Sequence, residues 1–334
     1  MMSHGTPLSF LEKLATWGSL ALAGAVFLTV GWLAVEPDDP LGAVSLLARR
    51  GAWMMLLQSA GLAGVTATLA TVLAGRRVTD VGTFAAAIGL AIVSLRGKTA
   101  EYLLVQGADR SATFTYGLGR ELAVEALAWA VVVLVSACVS AWVMRWCYAG
   151  IADAEVMAAA ERSDPSAPGG WMMAGWDLPL LRAVCGRGGC APTPLVDGLK
   201  HALIVTGACV LAFNGLSAGM APRAIQHGQV CFVVAAVVYT ACYLAHRMVP
   251  VRSAAWSILA VMVFSVLGYL WASTRPAALG RPLIVPTSPY LSVLPIQFIC
   301  VGTAAALATF WSAQRTTPRR ASRTQPAADD ARGA

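Results

Sequence analysis

Long uncharged blocks alternate with short polar connections along the whole chain. Eight such blocks together hold one acidic residue, Glu125, and no lysine or arginine. All but one are about 18 residues or longer, the length that an α-helix needs to cross a bilayer. The pattern predicts helical spans, because lipid offers the backbone no hydrogen-bond partner and a helix satisfies its own backbone groups. The predicted spans are residues 15–35, 52–74, 81–95, 122–144, 202–222, 228–245, 253–274 and 290–311.

The third block is too short to fit this scheme easily. Only 15 uncharged residues separate Asp80 from Arg96. They form about 22 Å of helix, whereas a hydrocarbon core is about 30 Å thick. Arg96 must therefore snorkel, the bilayer must thin, or the segment must be re-entrant. We predict an all-α polytopic transmembrane helix bundle of about eight spans, with seven as the alternative.

Composition excludes an ordinary soluble protein. The chain is 57% hydrophobic and only 12% charged, whereas soluble proteins carry about 25% charged residues. A net charge of +7 could suggest nucleic acid as a partner. The basic residues lie at the ends of the apolar blocks, however, where they act as topology signals and headgroup contacts. We therefore expect a lipid bilayer, and no nucleic acid, as the partner.

Tryptophans and basic residues at the block ends suggest how the chain sits in the membrane. Most of the 11 tryptophans, Trp256 and Trp271 among them, lie near span ends and are expected to anchor there. The larger share of the 24 lysine and arginine residues falls on the side of the two termini. The positive-inside rule then predicts that both termini are cytoplasmic. We expect the membrane to be a bacterial-type inner membrane. Block 15–35 is too long for a cleavable signal and should remain as the first span.

The spans fall into two membrane halves. A mixed, Pro- and Gly-containing loop separates them, and an Arg-, Thr- and Pro-rich tail without apolar period follows the second half. The loop is expected to be cytoplasmic and partly ordered, and the tail disordered. The predicted units are 1–147 and 200–312 for the halves, 148–199 for the loop and 313–334 for the tail.

Two hairpins share one spacing. Arg77 and Gly82 join the second and third spans, and Arg223 and Gly228 join the fifth and sixth, both as Arg-x4-Gly. Opposite orientations of the two turns would agree with an inverted repeat. Arginine followed by glycine is common at span ends, so an accidental match remains the simpler alternative.

Glu125 is the outstanding candidate for chemistry. An acidic side chain deep in a bilayer costs about 2.5–3.5 kcal/mol to insert and marks a functional candidate. Glu121 lies four residues earlier, on the same helix face, and Arg120 precedes it. These three residues could serve proton-coupled transport or, less simply, a lipid-modifying enzyme. The plainer alternatives are that Glu125 stays hydrated near the surface or pairs with an arginine.

Neutral polar side chains within the spans are few. The amides Asn214, Gln297 and Gln58 are among them. Asn214 and Gln297 are transport candidates, although hydrogen bonding between helices explains an isolated amide equally simply.

The second span also carries a row of small residues. A row of this kind allows another helix to approach closely, either from this chain or from another. Its members are Ala60, Ala63, Gly64, Ala67 and Thr71.

Metal and cofactor sites are weakly indicated at most. Cys185 and Cys190 enclose a Gly-rich loop and His201 follows, but zinc normally takes four ligands. The histidines lie at termini or span ends, where they cannot face each other across a haem. We predict no cofactor.

A proline-rich approach precedes the last span. Prolines break helix interiors, so residues 281–295 are expected to be irregular and to lie over the outer face or to enter the membrane. Irregular backbone at membrane depth needs a protein or water lining, which would favour a cavity; an interfacial loop is the plain alternative.

Two principal function classes follow. The first is a non-catalytic structural or accessory membrane subunit that binds other membrane subunits or itself. The second is a transporter or channel for a small solute, with Glu125 as its key carboxylate. No P-loop, nucleophile elbow, zincin or dinucleotide motif occurs in the sequence, so an enzyme is the less favoured class.

Overall fold

The computed structural model describes several stretches of the chain, and they are predominantly helical. No β-strand occurs within them, and Ala43 and Lys98 form an isolated β-bridge. The described residues are 10–39, 42–49, 51–75, 78, 80–100, 102–103, 114–161, 194–218, 226–251, 253–274 and 288–316.

The helices follow the apolar blocks in order. A π-helical turn, Phe27–Gly31, joins the first two helices. Short 3-10 turns lie at Leu46–Ala48 and Pro289–Ser292. The α-helices are α1 (Phe10–Val26), α2 (Trp32–Val35), α3 (Ala52–Ala74), α4 (Val81–Ser94), α5 (Phe114–Glu161), α6 (Leu195–Ala218), α7 (His227–Met248), α8 (Ala255–Ser273) and α9 (Pro295–Thr316).

The helices confirm the predicted membrane bundle. Within the described residues, seven are long and apolar enough to cross a bilayer: α1 and α2 taken together, α3, and α5 to α9. Helix α4 is apolar but shorter. The protein is therefore a multi-pass helical membrane protein.

Three helices extend into the predicted loop or tail. Helix α5 continues through residues 148–161, which were expected to begin the cytoplasmic loop. Helix α6 starts at Leu195, and α9 ends at Thr316, inside the predicted tail. An established helix extends readily into polar sequence, because each added residue gains a hydrogen bond without a new nucleation cost. The remainder of the loop and of the tail lies outside the described residues.

Helix α4 is short because protein surrounds it. Eleven of its 14 residues are buried, and its neighbours are α1, α3, α5 and α9. A helix enclosed in this way does not need to reach the headgroups at both ends, since its neighbours shield it from lipid.

Helix α4 passes from one end of the bundle to the other. At its start, Gly82 lies against Thr71, and a Cβ added at Gly82 would fall 2.7 Å from the Ser140 hydroxyl. After its end, Gly97 lies against Val44, beside Ser45, which binds Glu125. Ser140 and Glu125 are 15 residues apart on α5, about 22 Å along the axis. We name these the Thr71 end and the Glu125 end.

Arg96 is stabilised by the first span. Its guanidinium donates a hydrogen bond of 2.7 Å to the carbonyl oxygen of Leu28, inside the π-helical turn. The same group lies 4.6 Å from the centre of the Trp32 ring. Arg96 therefore has a carbonyl and an aromatic face as partners, where the sequence suggested snorkelling, bilayer thinning or a re-entrant segment.

The small-residue row of α3 faces this chain's own α5. Ala63, Ala67 and Thr71 are buried, and the Thr71 and Ser140 hydroxyl oxygens are 2.8 Å apart. The row of small residues therefore allows α3 and α5 to pack closely.

The tryptophans divide into two groups. Trp53, Trp146 and Trp271 are among those exposed near the ends of the candidate spans, as an interfacial belt requires. Trp256, which was expected to anchor at an interface, is instead 2% exposed and packs on Gly198. Its ring fits there because glycine has no side chain; a Cβ at Gly198 would lie 2.1 Å from the ring.

Two further predictions fall largely outside the described residues. Arg77 and Arg223, which mark the suggested repeat, are not among them. Neither are residues 281–287 of the proline-rich approach, whose described part forms the 3-10 turn Pro289–Ser292 before Pro295 begins α9.

Candidate functional site around Glu125

Glu125 lies in the interior of the bundle, about three turns after the start of α5, with a side chain that is 2% exposed. The Ser45 hydroxyl donates to Oε2 at 2.5 Å, and the Trp129 indole N–H donates to Oε1 at 3.1 Å. The Leu46 backbone provides a further hydrogen bond. The described residues therefore give the carboxyl group neutral hydrogen-bond partners. None of these partners is the arginine that the sequence suggested as an alternative.

The segment of residues 42–49, here called the Ser45 loop, is folded so that Ser45 points at Glu125. Ser45 also accepts a hydrogen bond from the Leu47 backbone N–H (3.2 Å), which opens the 3-10 turn Leu46–Ala48. Ala43, Val44 and Ser45 are all buried. The loop thus enters the bundle instead of covering its surface.

The turn after α4 holds the Ser45 loop from the other side. The Lys98 backbone N–H donates to the Gly42 carbonyl oxygen at 2.9 Å, within the isolated bridge. A Cβ on Gly97 would lie 2.8 Å from a Val44 methyl group and 2.9 Å from the Val44 nitrogen. Glycine at position 97 therefore permits a backbone approach that a larger residue would block.

Tyr269 of α8 lies within electrostatic range of the carboxyl group. It is fully buried, interacts electrostatically with Glu125, and donates from its hydroxyl to the Val293 carbonyl oxygen at 2.7 Å. The Tyr269 hydroxyl hydrogen is therefore bonded to the segment before α9.

Glu121 and Arg120 do not share the Glu125 environment. Both are exposed on α5, whereas Glu125 is buried. The spacing of four residues does place the two carboxylates on similar faces, but Glu121 lies one turn nearer the helix start. The three residues therefore do not form one catalytic cluster.

Gln297 belongs to a second polar network at the Glu125 end. Its amide N–H group lies 2.8 Å from Nδ1 of His227, and its amide oxygen accepts from the Leu294 N–H at 3.3 Å. The His227 Nε2 atom lies 2.8 Å from the Gly97 carbonyl oxygen. Since Gly97 can only accept, Nε2 carries the hydrogen and Nδ1 accepts from Gln297. This network joins the starts of α7 and α9 to the turn after α4.

Asn214 forms a third set of hydrogen bonds, which among the described residues shares no partner with those of Glu125 and Gln297. It is half-buried, and its amide donates to the Val210 carbonyl oxygen at 2.8 Å and to the Tyr290 hydroxyl at 3.0 Å. Tyr290 packs with Phe213, Phe264 and Phe298, with ring centres 4.9 to 6.2 Å apart. Asn214 therefore connects α6 to the aromatic core before α9.

His201, the described member of the weak metal set, has hydrogen-bond partners instead. Its Nδ1 and Nε2 atoms each lie 2.9 Å from a partner, the Val249 carbonyl oxygen and the Ser257 hydroxyl respectively. Cys185 and Cys190 lie outside the described residues. Among the residues described, no group of three His, Cys, Asp or Glu side chains could hold a metal ion.

Sequence reasoning missed most of the partners of Glu125. Trp129 could have been found, because it lies four residues further along the same helix face. Ser45 is 80 residues away in a connection, and the only hint is the uncharged stretch between Pro40 and Arg49. His227 was set aside as a span-end residue.

The chain matches no family model, no curated protein and no solved structure. Chemically, a buried carboxyl group with neutral donors can fasten a segment to the bundle or exchange a proton.

Proposed function

We propose that this chain is a non-catalytic structural or accessory subunit of a membrane assembly. The observation that carries the proposal is how its interior polar groups are used. Glu125 binds the Ser45 loop, Gln297 binds His227, and Asn214 binds Tyr290. Each of these bonds fastens one part of the chain to another.

The partners of these groups support the structural role. A path for a polar solute normally brings several polar groups together near the middle of the membrane. Here the hydrogen bonds of Glu125, Gln297 and Asn214 share no partner among the described residues. The groups join different pairs of elements, as expected for contacts that stabilise a bundle.

The alternative is a transporter or channel for a small solute with Glu125 as its key carboxylate. One observation favours it: Glu125 is in the interior, without a described cationic partner, and Tyr269 is within electrostatic range. Intramembrane carboxyl groups in such surroundings serve proton relays in pumps and transporters.

A pair of measurements separates the two proposals. Full-length protein and its Glu125→Gln variant are placed in liposomes that contain a pH-sensitive dye, and a pH gradient is imposed. We expect both to match protein-free liposomes. In the source cell, deletion of the gene should lower the mass or abundance of a native membrane complex, and re-expression should restore it. Proton flux that the wild type carries and Glu125→Gln lacks would instead establish the transporter.

The membrane and orientation belong to the same proposal. We place the chain in a cytoplasmic membrane with both termini on the cytoplasmic side, as the distribution of basic residues indicates. Cys147 is exposed on α5, 22 residues after Glu125, and therefore beyond the Thr71 end. A membrane-impermeant maleimide should label Cys147 only after the cells are opened. If Cys147 were labelled in intact cells, the chain would have the opposite orientation.

A further inference from the structure

Gln58 is a polar side chain on the lipid-facing surface of α3. It is exposed, as are its neighbours Leu57 and Gly61. Trp53, in the first turn of the same helix, is 63% exposed and marks the interfacial region. Gln58 lies five residues further, about 7.5 Å deeper along the helix. The Gln58 backbone therefore lies deeper in the membrane than the interface that Trp53 marks.

The Gln58 amide has no hydrogen-bond partner in the described part of the chain. Asn214 and Gln297, amides of two other spans, are both bonded within the bundle. Lipid tails cannot replace such a partner, so an amide left in hydrocarbon carries an unfavourable free energy. A helix from outside this chain can satisfy it.

The surface beside Gln58 permits close approach. Gly61 is one turn further along α3, and no atom lies within 4 Å of a Cβ built on it. Val65 continues the same exposed row. A helix backbone can therefore come close enough for a short glutamine side chain to reach across.

We propose that this surface, formed by Gln58, Gly61 and Val65 of α3, binds a second copy of the chain across a two-fold axis. A carboxamide has both a donor and an acceptor. A two-fold axis that passes beside Gln58 places the two amides opposite each other, so each amide N–H donates to the amide oxygen of the other. An identical partner thus satisfies both groups without any further polar residue. The inference does not depend on the proposed function.

The test measures dimerisation of the full chain in liposomes. Protein carrying one fluorophore at its C-terminus is reconstituted over a wide range of protein-to-lipid ratios, and photobleaching steps are counted for single particles. We expect two-step particles to increase with protein density in the wild type. Gln58→Leu should raise the dimer dissociation constant by about tenfold. Gly61→Leu should raise it at least as much, because its side chain separates the helices.

Gly207 of α6 provides the matched control. It too is exposed and has no atom within 4 Å of an added Cβ, so Gly61→Leu and Gly207→Leu should both fold like the wild type, which melting curves in detergent will check. Gly207→Leu should leave dimerisation unchanged. A wild type that is monomeric at every density would overturn the proposal. So would dimers that resist both α3 substitutions, or that Gly207→Leu weakens equally.

Discussion

Glu125 and His201 are two buried ionisable side chains at opposite ends of the bundle, and they are used in the same way. Glu125 holds the Ser45 loop between α2 and α3. His201 binds the Val249 carbonyl oxygen, directly after α7, and the Ser257 hydroxyl of α8. Each therefore fastens the backbone between two helices to the helices around it.

The two sites differ in the direction of their hydrogen bonds. The Glu125 carboxylate accepts from several donors, so it can bind whatever N–H and O–H groups the loop presents. His201 must donate from Nδ1, because Val249 offers only a carbonyl oxygen, and its Nε2 then accepts from Ser257. A carboxylate suits a loop with free donors, whereas an imidazole suits a helix end with a free carbonyl.

The largest effect should come from Glu125→Leu. The substitution leaves the Ser45 hydroxyl, the Leu46 backbone and the Trp129 indole without their acceptor. We expect the free energy of unfolding in mixed detergent micelles to fall by about 3 kcal/mol. Glu121→Leu, one turn away and exposed, should change it by less than about 0.5 kcal/mol. Equal losses would show that the hydrogen bonds of Glu125 contribute nothing to stability.

A smaller loss is expected for His201→Leu at the opposite end. Two partners, the Val249 carbonyl and the Ser257 hydroxyl, lose their hydrogen bonds. We expect about 2 kcal/mol in the same unfolding measurement. Lys200→Leu, next to it and exposed, should have little effect. If His201→Leu were as stable as the wild type, the hydrogen bonds of His201 would not stabilise the bundle as those of Glu125 are expected to do.

Gln297→Leu tests the second network at the Glu125 end. The change leaves Nδ1 of His227 and the Leu294 N–H without partners. Since one of these bonds is long, we expect about 1 kcal/mol of destabilisation. In dilute detergent, where the chain is monomeric, Gln58→Leu should be neutral because it removes no internal bond. A neutral Gln297→Leu would argue that His227 is held by Gly97 alone.

The smallest effect should come from Thr71→Val. It breaks the hydroxyl pair with Ser140 but keeps the side-chain shape. Interhelical hydrogen bonds in membranes contribute about 0.6 kcal/mol on average, and we expect a loss of that size. Thr68→Val is the control, because the Thr68 hydroxyl bonds the Gly64 carbonyl oxygen of its own helix. A larger loss for Thr68→Val would contradict this ranking.

The candidate site was only partly predictable. Glu125 could be found because a single charge stands out in an uncharged block. Whether it met an arginine, water or a loop could not be predicted, because Ser45 belongs to a connection 80 residues away. Gln297 and Asn214 were found as isolated amides, but their partners His227 and Tyr290 lie 70 and 76 residues from them.

The fold was more predictable than the site. Seven of the spans could be found from sequence because the length of an apolar run is a local property and the bilayer sets the length required. Helix ends were less accurate, as α5 shows by continuing to Glu161 beyond the apolar pattern.

Sequence by itself determined that this protein is a helical membrane bundle and that Glu125 is its exceptional residue. Only the tertiary structure decided that a 14-residue helix, α4, could serve inside the bundle, and that Glu121 would be exposed while Glu125 was buried. The physical reason is that membrane insertion depends on the hydropathy of consecutive residues. Burial and hydrogen bonding depend on neighbours that the chain brings from far away.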